Sequence, residues 1–271
     1  MRGRVLVVAG SDSGGGAGIQ ADIKAVTCLG GFAMTAVTAL TAQNTLGVHG
    51  VLAVAPDFIA RQIAVVLDDL GADCIKTGML HDAAVIETVV AALAAHAPGV
   101  PLVCDPVMIA KGGHPLLVAA AVDTLRARLL PRATLLTPNL PEAEALLGRA
   151  IPDAAAMAEA AVALRGLGPA AVLLKGGHAE GPVVVDVLAD AEGTLAFESP
   201  RIATRHTHGT GCTLASAVAT GIAQGMALRL AVGRARAYVL EALRSAPGFG
   251  HGHGPLDHAH TLRADVVPAG P

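Results

Sequence analysis

Short, nearly unbroken apolar runs alternate along the chain with longer segments whose apolar residues recur every three or four positions. The runs at 4–10 (RVLVVAG), 73–80 (DCIKTGML), 101–108 (PLVCDPVM), 133–139 (ATLLTPN) and 170–178 (AAVLLKGGH) predict strands that run out into polar loops. The stretch 33–44 (AMTAVTALTAQN) is strand-like at its start, and 183–190 with 194–200 reads as a hairpin. Helical spacing predicts helices over 19–30, 56–70, 82–96, 141–148, 153–168, 210–224 and 227–245. A glycine closes the first of these, and Pro56 and Pro141 open two others, where a missing N–H costs nothing. Strands bounded by helices imply parallel βαβ units, and parallel strands covered on both faces read as continuous apolar runs. The pattern therefore predicts one doubly wound α/β domain over residues 1–271, with a Gly/His-rich tail at 250–271.

In such a sheet, ligands bind at the carboxyl ends of the strands. The polar departures from the pattern fall there: GSDSGGGAG, QNT, KTGML, DPVM, TPNLPE and KGGH. This clustering points to an enzyme.

Composition narrows the choice. Hydrophobic residues make up 53 % and charged residues 15 %, which builds a core easily and speaks against disorder. With no Trp, one Tyr and four Phe, the core must be Ala, Val and Leu, and a ring-shaped ligand finds few aromatic faces. A net charge of −3 with interspersed signs leaves no basic stripe for nucleic acid. The opening MRGRVLVVAGSDSGGG is too short in its apolar part for a signal peptide and reads as a buried first strand. From Gly209 to Leu228 no residue is charged, yet Thr210, Thr213, Ser216, Thr220 and Gln224 interrupt the stretch, so it predicts a helix buried on a sheet and not a membrane span. Cys28, Cys74, Cys104 and Cys212 form no CxxC pair, which argues against structural zinc and suits a reducing cytoplasm.

Several motifs carry candidate chemistry, each beside a plainer role. The glycine loop GSDSGGGAGIQAD (10–22) opens a helix without the G-x-G-x-x-G or GK[ST] register, and it is either a turn or a close-approach site for ligand. Asp105 in DPVM either bonds its own loop or holds magnesium. Glu142 in TPNLPEAE either complements its helix dipole or joins Asp105 around a magnesium–phosphate unit. Lys175 in LLKGGH either snorkels out or meets phosphate. Four histidines in GHGHGPLDHAHTL (250–262) make only an irregular metal motif. In THGTGCTLAS (207–216) the glycines let backbone amides converge at a helix start, an anion hole suited to a transferring phosphoryl group. Cys212 lies in that first turn, where a lowered thiol pKa is expected; buried packing is its alternative.

Taken in order, GSDSGGGAGIQADIK, QNT, KTGML, DPVM, AKGG, TPNLPEAEAL, LLKGGH, THGTGCTLASA and GHGPLDH resemble the hydroxymethylpyrimidine/phosphomethylpyrimidine kinases of thiamine biosynthesis, members of the ribokinase-like superfamily. The resemblance runs from about residue 5 to 260. It implies a three-layer α/β/α fold with a mostly parallel central sheet, ATP with Mg2+, and a cytoplasmic homodimer. It implies phosphorylation of 4-amino-5-hydroxymethyl-2-methylpyrimidine, then of its monophosphate to the diphosphate. It places Gln43, Asp22, Gly10, Ala17, Met79 and Val107 around the pyrimidine, with Gln43 on the amino and ring-nitrogen edge. Lys175, Asn139 and Thr210 belong to the nucleotide, Asp105 and Glu142 to the metal with Asn139 beside them, and Gly209, Thr210, Gly211 and Cys212 to the anion hole. Related kinases carry an aspartate where Cys212 stands. A pyridoxal or pyridoxine kinase on the same scaffold is the nearest alternative. A silent aminopyrimidine-binding protein is a further one, separated by whether ATP is consumed.

Overall fold

The structure, a computed structural model, describes residues 2–109, 113 and 116–262. Residues 110–112 of the AKGG motif and positions 263–271 of the tail lie outside the described residues. The strands are β1 (Arg4–Asp12), β2 (Phe32–Asn44), β3 (Gly47–Ala53), β4 (Cys74–Thr77), β5 (Leu102–Cys104), β6 (Leu135–Leu136), β7 (Val172–Leu174), β8 (Val183–Asp190) and β9 (Gly193–Pro200). The main helices are α1 (Gly18–Cys28), α2 (Pro56–Asp69), α3 (Ala83–His96), α4 (Leu140–Leu147), α5 (Ala154–Arg165), α6 (Thr210–Ala223) and α7 (Leu228–Arg244). Among the described residues all nine strands join one sheet, in the order β3-β2-β1-β4-β5-β6-β7-β8-β9. The run from β2 to β7 is parallel, and β3, β8 and β9 are antiparallel additions at the two edges.

Alternation along the buried strands builds the layers. Val5, Val7 and Ala9 face one side with Ala25 of α1, Leu214 and Val218 of α6 and Val232 of α7. Leu6 and Val8 face the other, with Ile59 of α2, Ile86 of α3, Leu146 of α4 and Leu164 of α5. Complete burial of each such side chain contributes roughly 1.5–3 kcal/mol. The result is the expected α/β/α sandwich with a mostly parallel sheet. The sequence turns at β1: β2 lies on one side of it and β4 on the other, which makes the β1/β4 seam the switch point.

The strands are shorter than the apolar runs predict. Pairing stops at Thr77, Cys104, Leu136 and Leu174, and Gly78, Pro106, Pro138 and Gly176 stand just beyond. Proline has no N–H for the ladder, and glycine follows the chain out of it without side-chain cost. The edge strand β3 was not predicted, because both its faces are largely open and its GVHGVLA lacks apolar alternation. It follows a tight turn in which Asn44 Oδ1 accepts from the amides of Leu46 (2.9 Å) and Gly47 (3.3 Å). Residues 119–132, also unassigned from sequence, form short helical turns.

The uncharged stretch from Gly209 onward becomes α6, which is buried along nearly its whole length. No helix among the described residues is long and apolar enough to cross a membrane. The helix starts from Gly209 at φ 80°, where a Cβ would overlap the Gly16 carbonyl. Glycine alone meets both demands there, and so the start of α6 is brought against the start of α1.

Candidate active site

A cavity of about 700 Å3 opens along the carboxyl ends of the strands. Gly10, Ala17, Gln43, Met79, Val107, Asp105, Asn139, Glu142, Lys175 and Gly209 through Cys212 all line it. The sequence had scattered them over the chain; the sheet brings them to one rim.

Asp22 is the exception among the predicted pyrimidine contacts. Its side chain has no solvent exposure and does not line the cavity. Both its oxygens lie 2.9 Å from Lys76 Nζ, and Ser216 donates to Oδ1 at 2.7 Å. Asp22 therefore works behind the wall, and Lys76, equally without solvent exposure, stands between it and the cavity. Burial opposes the charge on Lys76, yet Asp22 first, then Cys212 and Asp105, outweigh it and hold the ammonium above its ordinary range. Burial also raises the Asp22 carboxyl above its ordinary range, and the Lys76 ammonium with the Lys76 and Ser216 hydrogen bonds pulls it back, so the ionised pair is held by those three donors. The spacing is helical on both sides: Gly18 and Asp22 are one turn apart on α1, Cys212 and Ser216 one turn apart on α6. Across that pairing, Asp22 accepts from Ser216 at 2.7 Å. The two helix starts are thereby held side by side.

At one end of the cavity, Asp105 Oδ1 accepts from Lys175 Nζ at 2.9 Å and from Thr137 Oγ1 at 3.1 Å. The face of Gly211 where a Cβ would stand is 3.2 Å from Lys175 Nζ and 3.7 Å from Asp105 Oδ2. Burial opposes the Lys175 charge, but Asp105 and then Glu142 outweigh it and raise its pKa. Asn139 and Glu142 form a reciprocal cap on α4: Glu142 Oε2 accepts from the Asn139 amide at 2.8 Å, and Asn139 Oδ1 from the Glu142 amide at 2.9 Å. Burial is the main reason the Glu142 carboxyl lies above its ordinary range. Asp105 adds to this, and Lys175 with the Asn139 and Met108 amides pulls it back. Glu142 thus fills its plainer role at the α4 start while its side chain lines the cavity.

The expectation of a lowered thiol pKa at Cys212 is overturned. The residue keeps part of its surface on the cavity, but burial of the sulfur dominates and pushes the thiol up to about 12, with Lys76 and the Gly18 amide only partly offsetting Asp22 and Asp105. A helix start is too weak to offset that desolvation.

At the other end, sequence reasoning missed His208, Asp12 and Thr41. Asp12 Oδ2 accepts from His208 Nε2 at 2.8 Å. The amides of Gly14 (2.8 Å), Gly16 (3.0 Å) and Ala17 (2.8 Å) also donate to the Asp12 carboxylate. Burial opposes its charge, but the His208 bond and these amides outweigh it and hold Asp12 below the usual carboxylate range. Gln43 sits at a bulge between β2 and β3, with its backbone tied to Ser13 Oγ by two bonds of 2.9 Å. His208 lay inside the quoted THGTGC motif and Asp12 inside GSDSGGG, so the signal was polarity within motifs already in hand. The tail folds over this end: His208 donates its amide to Gly254 O (3.1 Å), and His253 donates to Thr45 O (2.8 Å). Its histidines are used singly, His258 on Thr213 Oγ1 and His260 against Tyr238, and among the described residues no three His, Cys, Asp or Glu side chains gather as a metal site.

A family model described as phosphomethylpyrimidine kinase matches residues 12–257. The hydroxymethylpyrimidine/phosphomethylpyrimidine kinase of Streptomyces coelicolor is 46 % identical over 258 residues, covering 95 % of each chain. The thiamine biosynthesis bifunctional protein ThiED of Geobacter sulfurreducens is 52 % identical over 257 residues, 95 % of this chain, which spans about half (52 %) of that longer protein. Among solved structures, Bacillus subtilis pyridoxal kinase in its ADP complex superposes with a TM-score of 0.89 at 35 % identity, covering 98 % of this chain and 100 % of that one.

The buried pair makes a stability prediction. Asp22→Ala leaves Lys76 charged and unpartnered and should cost about 3–5 kcal/mol in urea unfolding. Asp22→Ala with Lys76→Met removes both charges and should recover much of that loss. Equal losses in the two proteins would assign the cost to packing.

Proposed function

The chain belongs to the phosphomethylpyrimidine kinase family, and on that premise we propose that its cavity transfers the γ-phosphoryl group of ATP to 4-amino-5-hydroxymethyl-2-methylpyrimidine and then to the resulting monophosphate. The observation that carries this reading is the pairing, in one cavity, of a helix-start anion hole flanked by Lys175 with a hydrogen-bonding end at Gln43. Gln43 offers one donor and one acceptor to the amino and ring-nitrogen edge. Gly10, Ala17, Met79 and Val107 give the ring its walls, and Met79 is fixed by Thr38 Oγ1 on its carbonyl at 2.6 Å. Lys175 meets the phosphates. The first-turn amides of α6 have no intrahelical acceptor and stabilise charge on the transferring group at Gly209 and Gly211, while Thr210, whose amide (3.4 Å) and hydroxyl (2.7 Å) both bond Thr207 O, shapes the loop between them.

The donors fit Mg2+. Asp105 and Glu142 supply oxygen ligands, Lys175 and Thr137 both fall on Asp105 Oδ1, and a phosphate-bound magnesium needs only one or two protein carboxylates. When bound, the ion neutralises charge on the phosphates. Asn139 keeps Glu142 turned into position through the α4 cap.

Cys212 meets the acceptor as a neutral thiol, since burial holds its proton on Sγ at neutral pH. A loose phosphoryl-transfer transition state leaves the hydroxyl proton in place until late, so no strong base is needed. The second acceptor is a phosphate, whose oxygen is already ionised near neutrality because its second pKa is about 6.

Two further features fit the family reading. The β3 edge is unpaired, and Leu40 and Leu52, opposite each other across β2 and β3, are 47 % and 66 % exposed. That apolar edge supports a homodimer, for which sedimentation equilibrium should return twice the chain mass. The four cysteines are all free thiols, which supports a reducing cytoplasm. The superposition on a pyridoxal kinase favours pyridoxal as a second acceptor, also a ring with a hydroxymethyl arm.

Product mass after incubation with ATP, magnesium and hydroxymethylpyrimidine tests the proposal: mono- and diphosphate should both form, and pyridoxal in parallel measures the second acceptor. Absence of both pyrimidine phosphates would refute it. Cys212→Ala should slow the first phosphorylation by about tenfold, below the ~10²–10⁴-fold of a true general base because the thiol stays neutral, and the second by much less. Equal slowing of both steps would make Cys212 a packing residue of the anion hole.

A further inference from the structure

We infer that His208 and Asp12, with Thr41, are positioning residues that fix the direction of the Gln43 amide, and thereby which way round the pyrimidine lies. The inference rests on the reading that Gln43 pairs with the ring. Asp12 accepts three backbone amides as well as the His208 bond, so it is ionised. A carboxylate 2.8 Å from His208 Nε2 requires that nitrogen to carry the proton. His208 Nε2 is therefore a donor. As placed, the Gln43 amide turns Nε2 toward His208 Nε2 at 3.3 Å, one N–H against another, so the protons require the half-turn of the amide that brings its carbonyl oxygen to that side.

The other end of the amide gives the same answer independently. Thr41 Oγ1 lies 2.9 Å from Ser11 O, a group that can only accept, so the single hydroxyl proton of Thr41 is committed there. The Gln43 oxygen placed 3.2 Å from Thr41 Oγ1 would need that same proton, so Thr41 Oγ1 can only accept on this side, and the same half-turn brings the amide nitrogen to it. Both neighbours select one of the two orientations related by a half-turn of the amide: oxygen toward His208, nitrogen toward Thr41. One N–H and one oxygen lone pair remain for a ligand, in fixed order.

That order matters because the hydroxymethyl arm is next to the amino group on the ring. The Gln43 oxygen accepts from the amino group and its N–H donates to the ring nitrogen. Reversing the amide turns the ring over and carries the arm from one side of Gln43 to the other. Only one of these directions points the hydroxyl at Cys212 and the start of α6. His208 itself is held by ring contacts that leave no room for a Cβ at Gly16, and by its amide bond to Gly254 O at 3.1 Å.

The test is a double-mutant cycle with steady-state kinetics. His208→Phe keeps the ring that fills the space beside Gly16 and removes the donor. It should lower kcat for the pyrimidine about tenfold, within the cost of misplacing a reacting group. The KM for the pyrimidine should stay level or fall, because a reversed ring still occupies the site; the KM for ATP should not move. His208→Gln restores an N–H donor and should recover much of the kcat. In a Gln43→Leu background, His208→Phe should add less than about a twofold effect, since residues acting through one another are not additive. Thr41→Val should mimic His208→Phe and Thr41→Ser should not, which keeps the test alive if His208→Phe fails to fold. Full multiplicative effects in the double variant, or unchanged kcat in both His208→Phe and Thr41→Val, would overturn the inference. Unchanged pyrimidine kinetics in Gln43→Leu alone would instead overturn the reading of Gln43 on which it rests.

Discussion

Lys76 has no solvent exposure, and neither does the carboxylate that holds it. A charge so placed must be compensated, and the compensation reaches across three elements: Lys76 on β4, Asp22 on α1 and Ser216 on α6. β4 is the strand by which the chain crosses to the second half of the sheet. The pair therefore sits where the two halves meet and fixes the relative height of the two helix starts above them. The glycine loop, the anion hole and the sulfur of Cys212 all take their places from those starts. Desolvating two charges is a costly way to hold a register, but the bond is directional, and a cluster of Val and Ala is not.

The same low-dielectric wall governs the groups that face the ligand. Lys175 is shared between Asp105 and any anion that enters, so its charge is balanced before phosphate arrives. Glu142 is drawn toward its neutral form by burial and by Asp105, and Lys175 is the counterweight. Cys212 stays a thiol for the same reason that Lys76 stays an ammonium: each takes the form its buried neighbours can satisfy. The cavity wall is thus mostly a set of fixed donors with little that must ionise on demand.

Most of the layer order was legible in the sequence, because parallel strands buried on both faces leave runs such as RVLVV and AAVLL that resist any other reading. The rim of the cavity was legible too, through polar residues placed after those runs. Three kinds of feature were not. The edge strand β3 buries too little to leave a pattern. The partnership of Asp22 with Lys76 joins residues 54 positions apart on a helix and a strand, and nothing local marks it. The state of Cys212 depends on how deeply its sulfur is enclosed, which helix position alone does not reveal. His208 and Asp12, 196 positions apart, were hidden in the same way, although each stood inside a motif already singled out.

The cover over the Gln43 end of the cavity is made by residues 252–254, where Gly252 and His253 bond back to Thr45 and Gly254 bonds His208. The Thr45 links close loops of roughly 200 residues and so form only after all the strands have been made. During translation the early strands emerge long before the segment that covers Gln43 and His208. A nascent chain can therefore assemble β1, β2 and β4 while its substrate end remains unfinished. The wall beside Gln43 is therefore complete only when residues 252–254 are stitched back to Thr45 and His208.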